Sequence, residues 1–289
     1  MLVPALAAGT AALVVAGVVS LGAAEGGPAG TRSYGEEQPA LSAQVIQERR
    51  DAVLRRFSVA VENLETRPIV VTRLRLVVPG FDSPGPIAKD SPIPPGQVVN
   101  LPWSYGRPRC PPGEATPEAG TPRVALRVRV GTDEPAEVRL VPTIRDGVIG
   151  RTLQGECLAR RIRREVSLTF GPWRVAGSGD DVRLRGTLEV RLRDPRRARA
   201  VTQVAGSVIY DLAPDGPSRA PLARVDASAP AASVPVVVTQ ARCDGHAVGE
   251  VKKPYAFLVW LAEPGGPEQA ASIEVSAEDE ARFQAVCRL

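Results

Sequence analysis

Four cysteines, one histidine and two arginine runs are the residues of this chain whose types and spacing can do chemistry. Cys110 and Cys157 stand 47 positions apart, and Cys243 and Cys287 stand 44 apart. Each first cysteine follows an arginine (Arg109, Arg242) and comes eight residues after a proline (Pro102, Pro235). Each second cysteine ends a short echo, Leu153-Gln154-Gly155-Glu156-Cys157 against Phe283-Gln284-Ala285-Val286-Cys287. The copies are offset by 130 to 133 residues, which reads as one module present twice. Four cysteines allow three pairings, and two like modules should close alike, as Cys110–Cys157 and Cys243–Cys287. Closing a loop of about 45 residues is worth roughly 4 kcal/mol in the chain-entropy model. A zinc site would need clustered ligands, and a redox pair would show CxxC; neither pattern is present.

His246 lies in Cys243-Asp244-Gly245-His246-Ala247-Val248-Gly249-Glu250. Asp244, His246 and Glu250 are the weak candidates for a metal site or a proton donor. Asp244-Gly245 is also plain turn chemistry, and the stretch after Cys110 shares none of these residues, so no metal ligand is assigned. No Gly-x-Ser-x-Gly elbow or phosphate-binding glycine loop occurs. Gly177-Ser178-Gly179-Asp180-Asp181 lacks the ligand count of a calcium loop. No catalytic residue and no cofactor is implied, and the expectation is a protein that is not an enzyme.

The arginines offer a different chemistry. Arg160, Arg161, Arg163 and Arg164 form one cluster, expected to link the two modules. Arg196, Arg197 and Arg199 form another, expected in a loop. These seven are the candidates for an anionic ligand, since the guanidinium fork suits phosphate and carboxylate. Lysine occurs only at Lys89, Lys252 and Lys253, however, and the surplus of Arg, Ala, Gly, Pro and Val also fits a GC-rich coding bias. Neither cluster is interleaved with aromatics, which argues against nucleic acid.

The elements that must position these residues read as strands. Phe57–Val61, 69–78, 98–105, 124–130 and 137–141 alternate or are β-rich in the first half. Pro102 marks 98–105 as an edge strand or bulge. Residues 79–96, with six prolines and three glycines, read as loop. Residues 43–56 read as a short weak helix or a lead into the first strand. The second half reads as strands over 182–192, 200–210, 233–239, 255–261 and 273–275, then a helix from Ser276 through Ala285. Ser276 with Asp279 has capping-box character. Short strands, turn-rich joints and few helices predict an all-β fold of two tandem immunoglobulin-like antiparallel β-sandwich modules after an N-terminal hydrophobic segment. Trp260 stands between cysteines only in the second half, so a generic sandwich is all that the pattern specifies.

At 289 residues there is room for two modules, read as 43–160 and 161–289. Aromatics are only 4%, so Val, Leu, Ala and Ile must fill the cores. Residues 2 to 24 carry no charge and end in Gly22-Ala23-Ala24, which gives 1–24 as a signal peptide or membrane anchor. Residues 25–42 read as a flexible spacer. Paired cysteines fit an oxidising compartment. The expected function is an exported envelope or secreted protein that presents a binding surface to an unknown protein or polymer. It would meet the membrane only through an uncleaved N-terminal segment. A metal-dependent binder or enzyme centred on His246 is one alternative. A binder of anionic envelope polymers through the arginine clusters is the other.

Overall fold

The computed structural model describes residues 38–113 and 117–287. The hydrophobic segment 1–24 and most of the spacer lie outside these residues. Alternation of apolar and polar side chains builds the first half. Its elements are β1 (Leu41–Ile46), α1 (Arg49–Val53), β2 (Arg56–Asn63), β3 (Ile69–Val77), β4 (Ile87–Ile93), β5 (Val98–Ser104), β6 (Arg123–Val130), β7 (Ala136–Leu140), β8 (Thr143–Ile144) and α2 (Val148–Glu165). They form two sheets, β5-β2-β1-β8 and β4-β3-β6-β7. All neighbours are antiparallel except β1 with β8. Val59, Leu101 and Trp103 from one sheet bury against Leu74, Leu126 and Val138 from the other.

The second half runs β9 (Val166–Phe170), β10 (Arg174–Ala176), β11 (Arg183–Leu192), β12 (Arg199–Ala205), β13 (Tyr210–Pro214), β14 (Ala223–Val225), β15 (Ala231–Gln240), α3 (Gly245–Glu250), β16 (Ala256–Ala262), β17 (Glu268–Glu274) and α4 (Ala277–Cys287). Its sheets are β10-β11-β15-β13, with β9 also on β11, and β14-β12-β16-β17. A second core lies between them, centred on Leu188, Val236, Phe257 and Phe283. Tyr210 is buried there, its hydroxyl donating to the Phe283 carbonyl at 2.9 Å. The protein is therefore an all-β fold of antiparallel sheets with few helices, two cores and one disulfide beside each.

The strand orders correspond: β4-β3-β6-β7 runs as β14-β12-β16-β17, and β5-β2-β1 as β15-β11-β9. The irregularities correspond too. Register shifts occur between Val71 and Arg73 in β3 and between Val201 and Gln203 in β12. Thr72 and Thr202 are the extra residues, and their hydroxyls donate to the Arg127 and Trp260 carbonyls across the sheet.

Several elements differ from the sequence expectation for identifiable reasons. β4 lies inside the proline-rich 79–96 stretch; it is an edge strand, where Pro92 forfeits no obligatory ladder bond. β5 is likewise an edge strand, as Pro102 indicated. The apolar run 200–210 breaks into β12 and β13 because the chain doubles back at Gly206, where a Cβ would sit 1.8 Å from the Tyr210 carbonyl oxygen. The stretch 43–56 holds the end of β1, then α1. The helix after Ser276 is present, with the Asp279 amide donating to Ser276 Oγ at 3.2 Å. The long helix α2 went unread: Ile149, Leu153 and Cys157 recur every four residues on its buried side, but Gly150, Gly155 and five arginines dilute the pattern.

Asp51 in α1 fixes the turn between β1 and β2. It is buried and accepts from Arg56, from Ser58 Oγ at 2.9 Å and from the Glu48 amide at 3.3 Å. Burial alone would raise its carboxyl, but these bonds outweigh burial and hold it below the usual carboxylate range. A depressed folded-state value stabilises the fold above the unfolded pKa, and that contribution is lost as pH falls through the folded value. Asp51→Asn is therefore expected to lower stability by about 1–3 kcal/mol at neutral pH. The gap to the parent in urea unfolding should close as pH falls below about 4; a gap constant down to pH 3 would contradict this assignment.

Candidate anion-binding cleft

α2 is buried in both cores. Val148, Ile149, Leu153 and Cys157 pack into the first, Ile162 into the second, and the chain passes from Glu165 directly into β9. Arg55 holds a left-handed backbone conformation beside α2, ion-pairs with Glu156 and lies over the Tyr105 ring at 5.1 Å. On another side of α2 the loop between β5 and β6 is drawn in by two ties. The Cys110–Cys157 disulfide brings the two Cα atoms to 5.4 Å, and Arg160 donates to the Pro108 carbonyl at 2.7 Å. Between this loop, α2 and Gln269 of β17 lies a half-open cleft of about 420 Å³.

Arg151, Arg161 and Arg164 line that cleft with Gln154 and Gln269. Among the described residues none of the three arginines forms an ion pair, and no carboxylate lines the cleft. The Nε of Arg161 is buried and meets no hydrogen-bond acceptor. Guanidinium groups, side-chain amides and an unmet donor together fit an anionic group. Arg151 went unnoticed in the sequence because the helix did; on a helix, 151, 154, 158 and 161 share a stripe.

The seven arginines singled out by sequence have different surroundings. Arg161 and Arg164 face the cleft, Arg160 positions its wall, and Arg163 is exposed on α2. All four lie in the helix that connects the two cores. Arg196 pairs with Asp194 at 3.1 Å in the loop before β12. Arg197 lies 3.9 Å from both Glu165 and Glu263. Arg199 is not in the loop but opens β12; it is buried and ion-paired to Glu165 and Glu263, so it has no face to offer a ligand. This pair secures the C-terminal end of α2 to the β12–β16 sheet.

Asp244, His246 and Glu250 do not converge. Asp244 caps α3, accepting from the Ala247 amide at 2.9 Å, and that bond, aided by Arg242, holds its carboxyl below the usual range. His246 and Glu250 are exposed one turn apart, 3.5 Å between Nε2 and Oε2. Among the described residues no group of three or more His, Cys, Asp or Glu side chains is placed to hold a metal ion. Cys243–Cys287 anchors the neighbouring turn to α4, with Cα atoms 5.3 Å apart.

No family model matches the chain, and no curated protein matches it. Among solved structures it is similar to one described as "Biofilm associated protein - B domain", at 8% identity over 85% of this chain and 88% of that one, with a TM-score of 0.20. A second, "Biofilm associated protein - BSP domain", aligns at 8% identity over 85% of this chain and 61% of that one, with a TM-score of 0.21. Both similarities are too slight to transfer any property to this chain. No helix among the described residues is long and apolar enough to cross a membrane.

Two outcomes follow from the ties around α2. Arg199→Met leaves buried Glu165 with only the more distant Arg197, at 3.9 Å, and is expected to cost about 3–5 kcal/mol in urea unfolding; a loss under about 1 kcal/mol would show the Arg199–Glu165 pair to be dispensable. Cys110→Ala with Cys157→Ala is expected to cost about 2–4 kcal/mol, read as a lower thermal midpoint under non-reducing conditions.

Proposed function

We propose that the protein is an extracytoplasmic, non-enzymatic interaction protein, one sandwich module present twice, that receives an anionic group of its partner in the cleft along α2. The observation that carries this reading is three arginines around one cleft with no carboxylate among its described lining residues. Matching strand orders, matching bulges and one disulfide per half support the duplicated module. The disulfides and the uncharged segment 1–24 support an oxidising, extracytoplasmic setting. The partner is an envelope or extracellular protein or polymer bearing carboxylate, sulfate or phosphate.

Inorganic tripolyphosphate is a suitable probe of the cleft. Calorimetry on the full-length protein at low salt is expected to show binding that weakens as salt is added. Charge-assisted hydrogen bonds are worth roughly 1.5–3 kcal/mol, so Arg161→Gln and Arg164→Gln should each weaken binding by about tenfold or more. No binding, or equal binding by both variants and the parent, would remove the cleft from consideration.

A further inference from the structure

A second basic surface lies away from α2. In β3, Ile69 and Val71 face the first core, and strict alternation would send Arg73 and Arg75 inward after them. The bulge at Thr72 shifts the phase by one residue, so Leu74 and Leu76 are buried and both arginines stand on the outer face. β6 adds Arg123, Arg127 and Arg129, all exposed on the same face. Arg73 is directly opposite Arg127 in the register, an arrangement of like charges that costs stability. Among the described residues none of these five arginines forms an ion pair. Of the carboxylates on this face, Glu137 is held by Arg139 at 2.7 Å, and Asp90 sits on the edge strand β4. A groove of about 410 Å³ runs past Arg73, Arg75 and Arg127 between Pro86 and Pro135, with Glu137, the residue opposite Arg127 on β7, as the one carboxylate among its described lining residues.

The equivalent face of the second half is the control. Its bulge at Thr202 gives the same phase, yet Gln203 and Ala205 stand where β3 has Arg73 and Arg75. Ala256, Trp260 and Ala262 stand where β6 has Arg123, Arg127 and Arg129. Gln203 is opposite Trp260 as Arg73 is opposite Arg127. The scaffold therefore needs no arginine at these positions; the second copy of the face carries Arg224 on its edge strand β14 but no outward arginine on its two central strands.

We propose that the outer face of the β4-β3-β6-β7 sheet binds a linear anionic polysaccharide, independently of the cleft along α2. Arginines rooted about 7 Å apart along a strand and about 5 Å apart between strands can present their guanidinium forks to repeated carboxylate or sulfate groups. The four strands contain no aromatic residue, so nothing is available to stack bases. The face also lacks the large exposed apolar side chains that insertion into a bilayer requires.

The test uses the full-length protein with polygalacturonate and dextran sulfate as probes and neutral dextran as control. At least one anionic polymer should bind, with affinity falling on the order of tenfold or more between 50 and 200 mM salt as counterions compete; binding to one alone identifies carboxylate or sulfate as the group recognised. Arg73→Gln/Arg75→Gln/Arg127→Gln should weaken that binding by about tenfold or more, with an unchanged or higher thermal midpoint as the opposed charges are removed. Arg161→Gln/Arg164→Gln should leave it intact, which separates this face from the cleft. Binding that survives in the face variant, or falls equally in both variants, overturns the proposal. So does equal or tighter binding to a single-stranded oligonucleotide or to phosphatidylglycerol vesicles.

Discussion

One helix has to satisfy two cores at once, and much of the structure follows from that demand. α2 buries Ile149, Leu153 and Cys157 in the first core and Ile162 in the second. The second half of the helix is then tied at four points: Glu156 to Arg55, Cys157 and Arg160 to Cys110 and Pro108 of one loop, and Glu165 to Arg199. A helix fixed at four points is a rigid floor. The arginines projecting from its remaining surface are presented in a defined array, and the loop held by Cys110 supplies the opposite wall of the cleft.

The all-β class was legible because strands such as 124–130 and 182–192 alternate strictly, and alternation survives any tertiary arrangement. Edge position was legible for β5 through Pro102. β4 was hidden because proline density signals a turn locally, whereas only the sheet order reveals an edge that tolerates it. α2 was hidden because a helix packed on two cores has two short apolar stripes rather than one long one. Its loss hid the cleft as well: Arg151 and Arg161 come to share one side only at helical spacing. Arg199 looked like its neighbours Arg196 and Arg197 in sequence, and only Glu165, 34 residues away, makes it an interior residue.

The two bulges show how a single residue decides what a strand displays. With Thr72 or Thr202 inserted, the phase of the apolar pattern changes midway, and the residues that follow are re-aimed. In β12 that re-aiming exposes only glutamine and alanine; in β3 it exposes two arginines opposite a third. The same backbone device yields arginines on the two central strands in one half and, at the equivalent positions of the other, uncharged residues that include Trp260 and Leu258. The two halves thus share strand order and bulge position while their outward faces differ in chemistry.

Arginine abundance by itself says nothing about ligands, and the structure divides the arginines by what lies within reach. Arg55, Arg56, Arg196 and Arg199 meet carboxylates, and Arg160 meets a carbonyl. These groups are spent on holding the fold. Among the described residues Arg151, Arg161 and Arg164 on the helix, and Arg73, Arg75 and Arg127 on the sheet, meet neither. Around the cleft and on the outer face of β3 and β6 such arginines lie together, whereas the equivalent positions of β12 and β16 carry none, and the second half's exposed Arg174, Arg183, Arg191 and Arg224 stand on other strands. Concentrating like charge costs stability through mutual repulsion, and an anionic partner is the physical factor that would offset that cost at both places.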